Sequence, residues 1–359
     1  MKIKEEDKPY VEMIRAMNEG YPIKYPLSKK SLKLLKIVFK PEQAELLTYF
    51  QKPFFDQLNA RQLSKRTNGK YTKQQVKELL DPLAEKGVVM KVFGAYALLP
   101  IVPGLFEFYY ISSSDKKETL KEVAEIFDEL AEEEGFLYEL IASETPVFRT
   151  LPHSKPIEKT IEINEKMDTQ QEILTFERAK EYLSMAHNWA VVPCACRTHA
   201  MIKDPTDICE KPFETCMAVG VGADWVLERG WGRKLSYEEA LDLLIECEEN
   251  GLVHTVMNNS QVPILICNCC ICHCGILQTI KKTRNSRSCV ISNFTPEIDQ
   301  DKCKLCNKCV SLCPMDAIFH HYPRNEDLSD DYIVIIDEQC IGCGVCSTNC
   351  PTEAIKMVK

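Results

Sequence analysis

The chain has 359 residues, a formal net charge of −9 and 19 cysteines, none of which precedes position 194. That length, the odd cysteine count and the charged opening MKIKEEDKPY, which has no apolar leader run, exclude a small secreted disulfide scaffold. The pattern expected is a cytoplasmic protein of about two or three domains, one part free of cysteine and one part binding metal.

Charge is unevenly placed. Residues 1–100 hold 19 Lys and Arg against 11 Asp and Glu, a balance of +8, which leaves −17 for residues 101–359. Such asymmetry points to separate modules, the basic one facing nucleic acid, an acidic protein surface or plain solvent.

From the N-terminus, Ser31–Lys40 has helical apolar spacing, Pro41 suits the first turn of a second helix, and Ala60–Thr67 reads as a third. Thr72 is placed to cap a helix running through Lys86, with Gly87 as its stop, and Val88–Phe93 pairs with Ala95–Leu99 about Gly94 as a hairpin. This order resembles a winged-helix domain, assigned to residues 1–112. In DNA-binding winged helices the reader would be Thr72–Lys86, preceded here by Arg61, Lys65, Arg66, Lys70 and Lys73, so nucleic acid would be met through residues 60–96. The hairpin tip Phe93–Tyr96 has no Arg or Lys, which favours protein docking over DNA. The overlapping stretch Val92–Ile111 carries only Glu107 as a charge, yet Gly94, Pro100, Pro103 and Gly104 break it. Buried strands and a loop are expected there, with no membrane partner.

Residues 113–168 read as an acidic amphipathic helix, Asp115–Glu134, and an extended linker, Thr145–Asp168, carrying Pro146, Pro152 and Pro156. A helix over Thr175–His187 and the apolar run Trp189–Val192 then lead into a cysteine-rich domain assigned to residues 169–295. Its cysteines are Cys194 and Cys196 flanking Ala195, with Arg197 next; then Cys209, Cys216 and Cys247; then Cys267, Cys269, Cys270, Cys272 and Cys274; and lastly Cys289. Cys247 lies in a helix opened by the capping-box pair Ser236 and Glu239 and stopped by Gly251, so it reads as a buried apolar residue, and Cys289 as an ordinary one. Packing gives no reason for five cysteines in the eight residues 267–274, whereas a metal does. Cys194, Cys196, Cys209, Cys216, Cys267, Cys269, Cys270, Cys272 and Cys274 are therefore candidates for at least one further site. The ten thiols from Cys194 to Cys274 exceed the four that one cubane needs, which leaves a second cluster in this block, a larger cluster, or spare cysteines as substrate or redox ligands. Arg197 is either a donor to an anionic cluster or substrate, or a surface ion-pair residue, and His254 and His273 are candidate non-thiolate ligands. Gly220-Val-Gly222-Ala does not continue as GxGxxG, since position 225 is Trp, so there is no flavin or NAD signal.

The most specific motif begins at Cys303. Cys303, Cys306, Cys309 and Cys313-Pro314 recur as Cys340, Cys343, Cys346 and Cys350-Pro351, within the repeated flanks DKCKLCNKCVSLCPMDAI and EQCIGCGVCSTNCPTEAI. Three thiolates two residues apart wrap one cubane, with loop N–H groups turned to its sulfurs, while zinc sites rarely show three even spacings plus Cys-Pro. Residues 296–359 thus resemble the bacterial dicluster ferredoxins. The resemblance implies one 4Fe-4S cluster on Cys303, Cys306, Cys309 and Cys350, and another on Cys340, Cys343, Cys346 and Cys313. Between the motifs, His320–Asp331 is a polar insertion expected as a loop or widened hairpin, with His320 and His321 exposed to solvent.

The chain as a whole resembles iron-sulfur proteins of anaerobic microbes that join a winged-helix-like N-terminus, a PCxCR and CNCC block, and a dicluster ferredoxin, most closely at Pro193–Arg197, Gly251–His254, Cys267–Cys270 and the ferredoxin motifs. The fold class expected is α+β multidomain. The leading function is a multicluster electron-transfer protein serving a redox partner protein. The alternatives are an iron-sulfur oxidoreductase with its active site in the middle block, and a redox-sensing DNA-binding regulator. Two oxidised cubanes with their thiolates, at about −2 each, would move the formal charge to about −13.

Overall fold

The computed structural model describes residues 3–133, 136, 148–157, 179–257, 264–284, 290–322 and 331–358. The chain forms two compact units. The first is Met1–Ser143 with Pro193–Ile208 and Asp224–Gly232, and the second is Glu144–Val192, Cys209–Ala223 and Arg233–Lys359. This division departs from borders at 112, 168 and 295, because two stretches of the expected middle domain pack with the first unit. Trp225 places its ring 4.0 Å from that of Phe108, and helix Ala195–Lys203 packs on the helices that follow the hairpin.

In the first unit, α1 (Lys8–Asn18), α2 (Lys29–Val38), α3 (Pro41–Leu47), α4 (Ala60–Arg66) and α5 (Lys73–Glu85) surround a small sheet. Its strands β1 (Leu58–Asn59), β2 (Val89–Val92) and β3 (Ala95–Leu98) are antiparallel in the order β1-β3-β2. Thr72 caps α5 by accepting from the Gln75 N–H, and the Gln75 side-chain Oε1 accepts in return from the Thr72 N–H.

The apolar stretch after β3 is only partly irregular. Pro100 and Pro103 interrupt it early, but Phe106–Ser112 is a helix, α6, rather than strand or loop. Its aromatic residues are covered on several sides, with Phe106 against Phe127 at 5.2 Å and Tyr110 against His199 at 5.1 Å. Among the described residues no helix is long and apolar enough to cross a membrane. The acidic helix is α7, Lys117–Glu133, and it takes up part of the basic charge. Lys33 pairs with Glu122 at 2.9 Å and Lys30 with Glu129 at 3.1 Å.

The second unit is built on a sheet of β4 (Phe148–Leu151), β5 (Trp189–Pro193), β6 (Glu214–Val219), β7 (Arg233–Leu235), β8 (Val253–Met257), β9 (Leu265–Cys269) and β10 (Val290–Ile291). The order is β10-β4-β8-β9-β6-β5-β7, with β10 parallel to β4 and the pairs β4–β8, β8–β9, β9–β6 and β5–β7 antiparallel. The stretch read as an extended linker therefore contains an interior strand. Pro152 stands just outside β4, where a missing N–H costs no ladder bond. Leu151, Leu183, Val191, Met217, Leu244 and Ile266 form the core on this sheet, closed by helix Tyr237–Glu249 with its Ser236 and Glu239 capping box.

At the C-terminus β11 (Thr295–Ile298) pairs with β14 (Ile355–Val358), and β12 (Ile318–His321) with β13 (Tyr332–Ile335), all antiparallel. Helices Lys308–Leu312 and Val345–Thr348 follow the cysteine loops. His320 is not a solvent-exposed loop residue. It lies in β12, half-buried, with Nε2 3.1 Å from Asp331 Oδ2. Residues 323–330 of the insertion, and Cys289, lie outside the described residues.

Candidate metal and electron-transfer site

The duplication in sequence is also a duplication in backbone. Leu305, Asn307 and Asp316 have φ of 52°, 59° and 50°, and their counterparts Gly342, Gly344 and Glu353 have φ of 65°, 80° and 52°. In the second loop the glycines are required twice over. A Cβ at 342 would collide with the Phe294 carbonyl and the Ser292 side chain, and one at 344 would come within 3.0 Å of the His153 nitrogen. These turns aim N–H groups at sulfur, with Ala317 N 3.3 Å from Cys313 Sγ and Gly342 N 3.4 Å from Cys340 Sγ.

The thiols of the two motifs influence one another. Burial pushes the Cys309 thiol up to about 11; the Val310 N–H opposes this, and the charges of Cys303, Cys306 and Cys350 add to it. Burial likewise raises Cys343, again against a backbone N–H, with Cys313 and Cys340 adding to the rise, and it raises Cys346, with Cys343, Cys340, Cys313 and Cys309 adding. Cys313, Cys340, Cys343 and Cys346 also line one cavity of about 350 Å³, counting the space open to solvent at its mouth, beside Pro314 and Ile341. Soft all-thiol donor sets with inward N–H groups in an apolar wall suit an iron-sulfur cluster, which would hold these thiols deprotonated.

The middle cysteines divide differently. Cys194 and Cys196 lie at the start of helix Ala195–Lys203 in the first unit, where the Cys194 carbonyl accepts from the Thr198 N–H at 2.9 Å. Arg197 on that helix is 1% exposed, so it is no surface ion-pair residue. In the second unit, strand alternation puts Cys267 and Cys269 on one face of β9 and Asn268 on the other. The β6–β9 register pairs Met217 with Ile266, and continued by one residue it sets Cys216 across from Cys267. Cys269 is raised well above the ordinary thiol range by Cys267 first, then by Cys274, then by burial. The same row continues across the sheet, with Thr255 opposite Cys267 and Thr150 opposite Thr255. Both hydroxyls are buried without a hydrogen-bond partner among the described residues, so a face bearing four thiols also carries two unused donors suited to an anionic group. Cys209, Cys270 and Cys272 gather separately, in loops, with His273. Burial would raise Cys209, but the Lys211 N–H and then Cys272, His273 and Cys270 outweigh it and hold the thiol at about 7.

His254 is not free to act as a ligand. Its Nδ1 lies 2.6 Å from Asn268 Oδ1 and its Nε2 3.3 Å from Glu248 Oε1, which also accepts from the Ser154 N–H at 2.7 Å. The Asn268 amide is oriented by donating to the Thr215 carbonyl. Both imidazole nitrogens are thus engaged by side-chain oxygens. Burial opposes ionisation of Glu248, but His254, His153 and the Ser154 N–H hold it at about 2. Next to this pair His153 is fully buried, and burial first, then the charge of His254, push it down to about 4. Its Nε2 donates to the Leu252 carbonyl and its Nδ1 accepts from the Thr348 hydroxyl, both at 2.9 Å. Sequence reading missed His153 because its partners Leu252 and Thr348 lie 99 and 195 residues away, and missed Glu248 although His254 is six residues on, because nothing in the helix marks that carboxylate as buried. The only local signal was the Gly251–His254 stretch.

A duplicated loop that carries eight thiols, with N–H groups turned to sulfur, defines an iron-sulfur electron-transfer protein. The 4Fe-4S dicluster domain family matches residues 302–354. The chain is similar to pyruvate synthase subunit PorD of Methanothermobacter marburgensis, 35% identical over 75 residues, which are 79% of that relative and 21% of this chain. It is similar to a ferredoxin of Methanothermococcus thermolithotrophicus, 40% identical over 60 residues, 88% of that protein and 16% of this one. It also resembles the probable oxidoreductase YjgC of Bacillus subtilis, 23% identical over 163 residues, 40% of this chain and 16% of that relative. Through its C-terminal domain the chain belongs to the 4Fe-4S dicluster ferredoxin family. No solved structure matches it.

Proposed function

We propose that the chain is a multicluster electron carrier that passes electrons through two ferredoxin clusters and a third centre to or from a redox partner protein. Cys303, Cys306, Cys309 and Cys350 would hold the first cluster, and Cys340, Cys343, Cys346 and Cys313 the second. Cys216, Cys267, Cys269 and Cys274 are the thiols to which we assign the third. Each cluster, when bound, takes up and gives back one electron. The residues of the chain do the rest. The N–H groups of Ala317 and Gly342 point at ligand sulfurs and favour the more negative, reduced state. Buried Cys343 and Cys346 keep water from the second cluster. The observation that supports the reading is the repeated cysteine loop, with its duplicated left-handed backbone and N–H groups turned to sulfur.

The N-terminal helices and hairpin are read as a winged-helix-like docking module for the partner. Phe93 at the hairpin tip is 75% exposed, and its N–H donates to the Glu228 carboxylate at 3.4 Å, which puts a negative charge where a DNA-binding wing carries cations. A second reading, an oxidoreductase acting at the middle block, is favoured by the buried Glu248 and His254 pair, which lies on the opposite face of β9 from Cys267 and Cys269. We place the protein in the cytoplasm, where a reducing compartment would keep these thiols available as ligands.

Iron and sulfide analysis of anaerobically purified full-length protein tests the proposal. About twelve iron and twelve sulfide per chain are expected; about eight would remove the third centre, and about four would remove the dicluster carrier.

A further inference from the structure

Cys209, Cys270, Cys272 and His273 stand apart from the thiols assigned above. Their donor atoms all lie within 4.8 Å of one another. Cys209 Sγ is 3.3 Å from Cys272 Sγ and 3.8 Å from Cys270 Sγ, and Cys270 Sγ is 4.0 Å from His273 Nδ1. Four donors around one tetrahedral ion at a metal–sulfur distance of about 2.3 Å stand roughly 3.8 Å apart. A cubane instead spreads its thiolates outward from four separate irons, well beyond the shell of a single ion. Among the described residues this is the group whose donors come that close; the eight ferredoxin thiols do not.

We propose that these four residues bind one mononuclear, tetrahedral metal ion of the zinc type, separate from every iron-sulfur cluster of the chain. Three thiolates and an imidazole are a closed structural zinc set, with no position left for water or substrate. The local sequence explains the geometry. Cys270, Cys272 and His273 lie in the turn between β9 and helix Gly275–Thr283, while Cys209 comes from the loop before β6. The ion would cross-link these two segments, which are 61 residues apart at Cys209 and Cys270, and would hold the turn that separates Cys269 from Cys274. Binding releases the thiol protons to solvent and leaves the metal's oxidation state unchanged. The site does not depend on whether a third cluster exists.

The test uses the full chain grown with zinc and iron and purified anaerobically without chelator. Elemental analysis is expected to give about one zinc per chain beside the iron, and Cys272→Ser, at an exposed position, to lose at least about five-sixths of that zinc with iron, sulfide and the cluster EPR signals unchanged. Wild-type protein without zinc, or a Cys272→Ser protein that loses iron and sulfide, would overturn the proposal. Zinc-edge X-ray absorption on the unaltered protein decides the case even if the variant does not fold. Three sulfurs near about 2.3 Å and one nitrogen near about 2.0 Å are expected, and a four-sulfur or all-oxygen shell would refute it. Iron content and EPR report the electron-carrier reading separately.

Discussion

His153 and Thr348, 195 residues apart, meet at 2.9 Å, the imidazole Nδ1 accepting from the hydroxyl that sits between the ligand candidates Cys346 and Cys350. The backbone N–H of His153 also donates to the Cys343 carbonyl at 3.1 Å. One buried side chain thus ties the second cysteine loop to the strand that carries Glu248's partner, His254. Replacing it by alanine empties a packed site and leaves the Leu252 carbonyl without its donor. We expect His153→Ala to lose about 2–4 kcal/mol in anaerobic denaturant unfolding, and His153→Gln to recover part of that. A loss below about 0.5 kcal/mol would mean the tie has no weight.

The same residue sets a pH dependence. His153 titrates at about 4 in the folded chain against 6.5 when unfolded, so the unfolded chain binds more protons between those values. Its contribution is complete above pH 6.5 and is lost as the pH falls through 4, amounting to about 3 kcal/mol. Glu248, held at about 2 against 4.5, adds a second loss below pH 4.5. Unfolding midpoints of wild type and His153→Gln from pH 7.5 to 5 should converge on acidification; parallel curves would contradict the assignment.

Gly342 and Leu305 share a left-handed backbone at matching places, yet only the glycine is hemmed in by Phe294 and Ser292. Gly342→Ala should therefore cost the cluster on Cys340, Cys343, Cys346 and Cys313, lowering iron by about four per chain. Leu305→Gly should leave iron content unchanged. Iron analysis of the two variants side by side checks this.

The ferredoxin loops were legible because ligand spacing, turn and repeat all lie within about twenty residues. So was the order of helices and hairpin over Ser31–Leu99, where caps and alternation are local. What failed was long-range. Phe148–Leu151 looked like linker because its partners, β8 and β10, lie more than a hundred residues on. Helix α6 was hidden by the prolines just before it. The nine middle cysteines looked like one pool, and only strand alternation and loop contacts separate Cys267 and Cys269 from Cys270 and Cys272. His254 was weighed as a ligand because nothing local shows that Glu248 and Asn268 occupy both its nitrogens.

The docking role of the N-terminal module carries a prediction of its own. Lys30, Lys33, Lys36 and Lys91 are already paired with acidic side chains of the same unit. Arg66 and Lys70, of the basic residues before α5, are likewise paired, with Asp56 and Glu45, so these pairs offset part of the positive charge that a phosphate would meet. No mobility shift of duplex DNA is expected at about 50 mM salt, and a shift that weakens steeply with added salt would instead favour a DNA-binding regulator.

The most direct test of a three-centre carrier is EPR at stepped potentials on anaerobic wild-type protein and on Cys269→Ser. Three one-electron signals are predicted in the wild type, and the variant should keep the two ferredoxin signals and lose the third. Two signals in the wild type, unchanged by Cys269→Ser, would contradict the account.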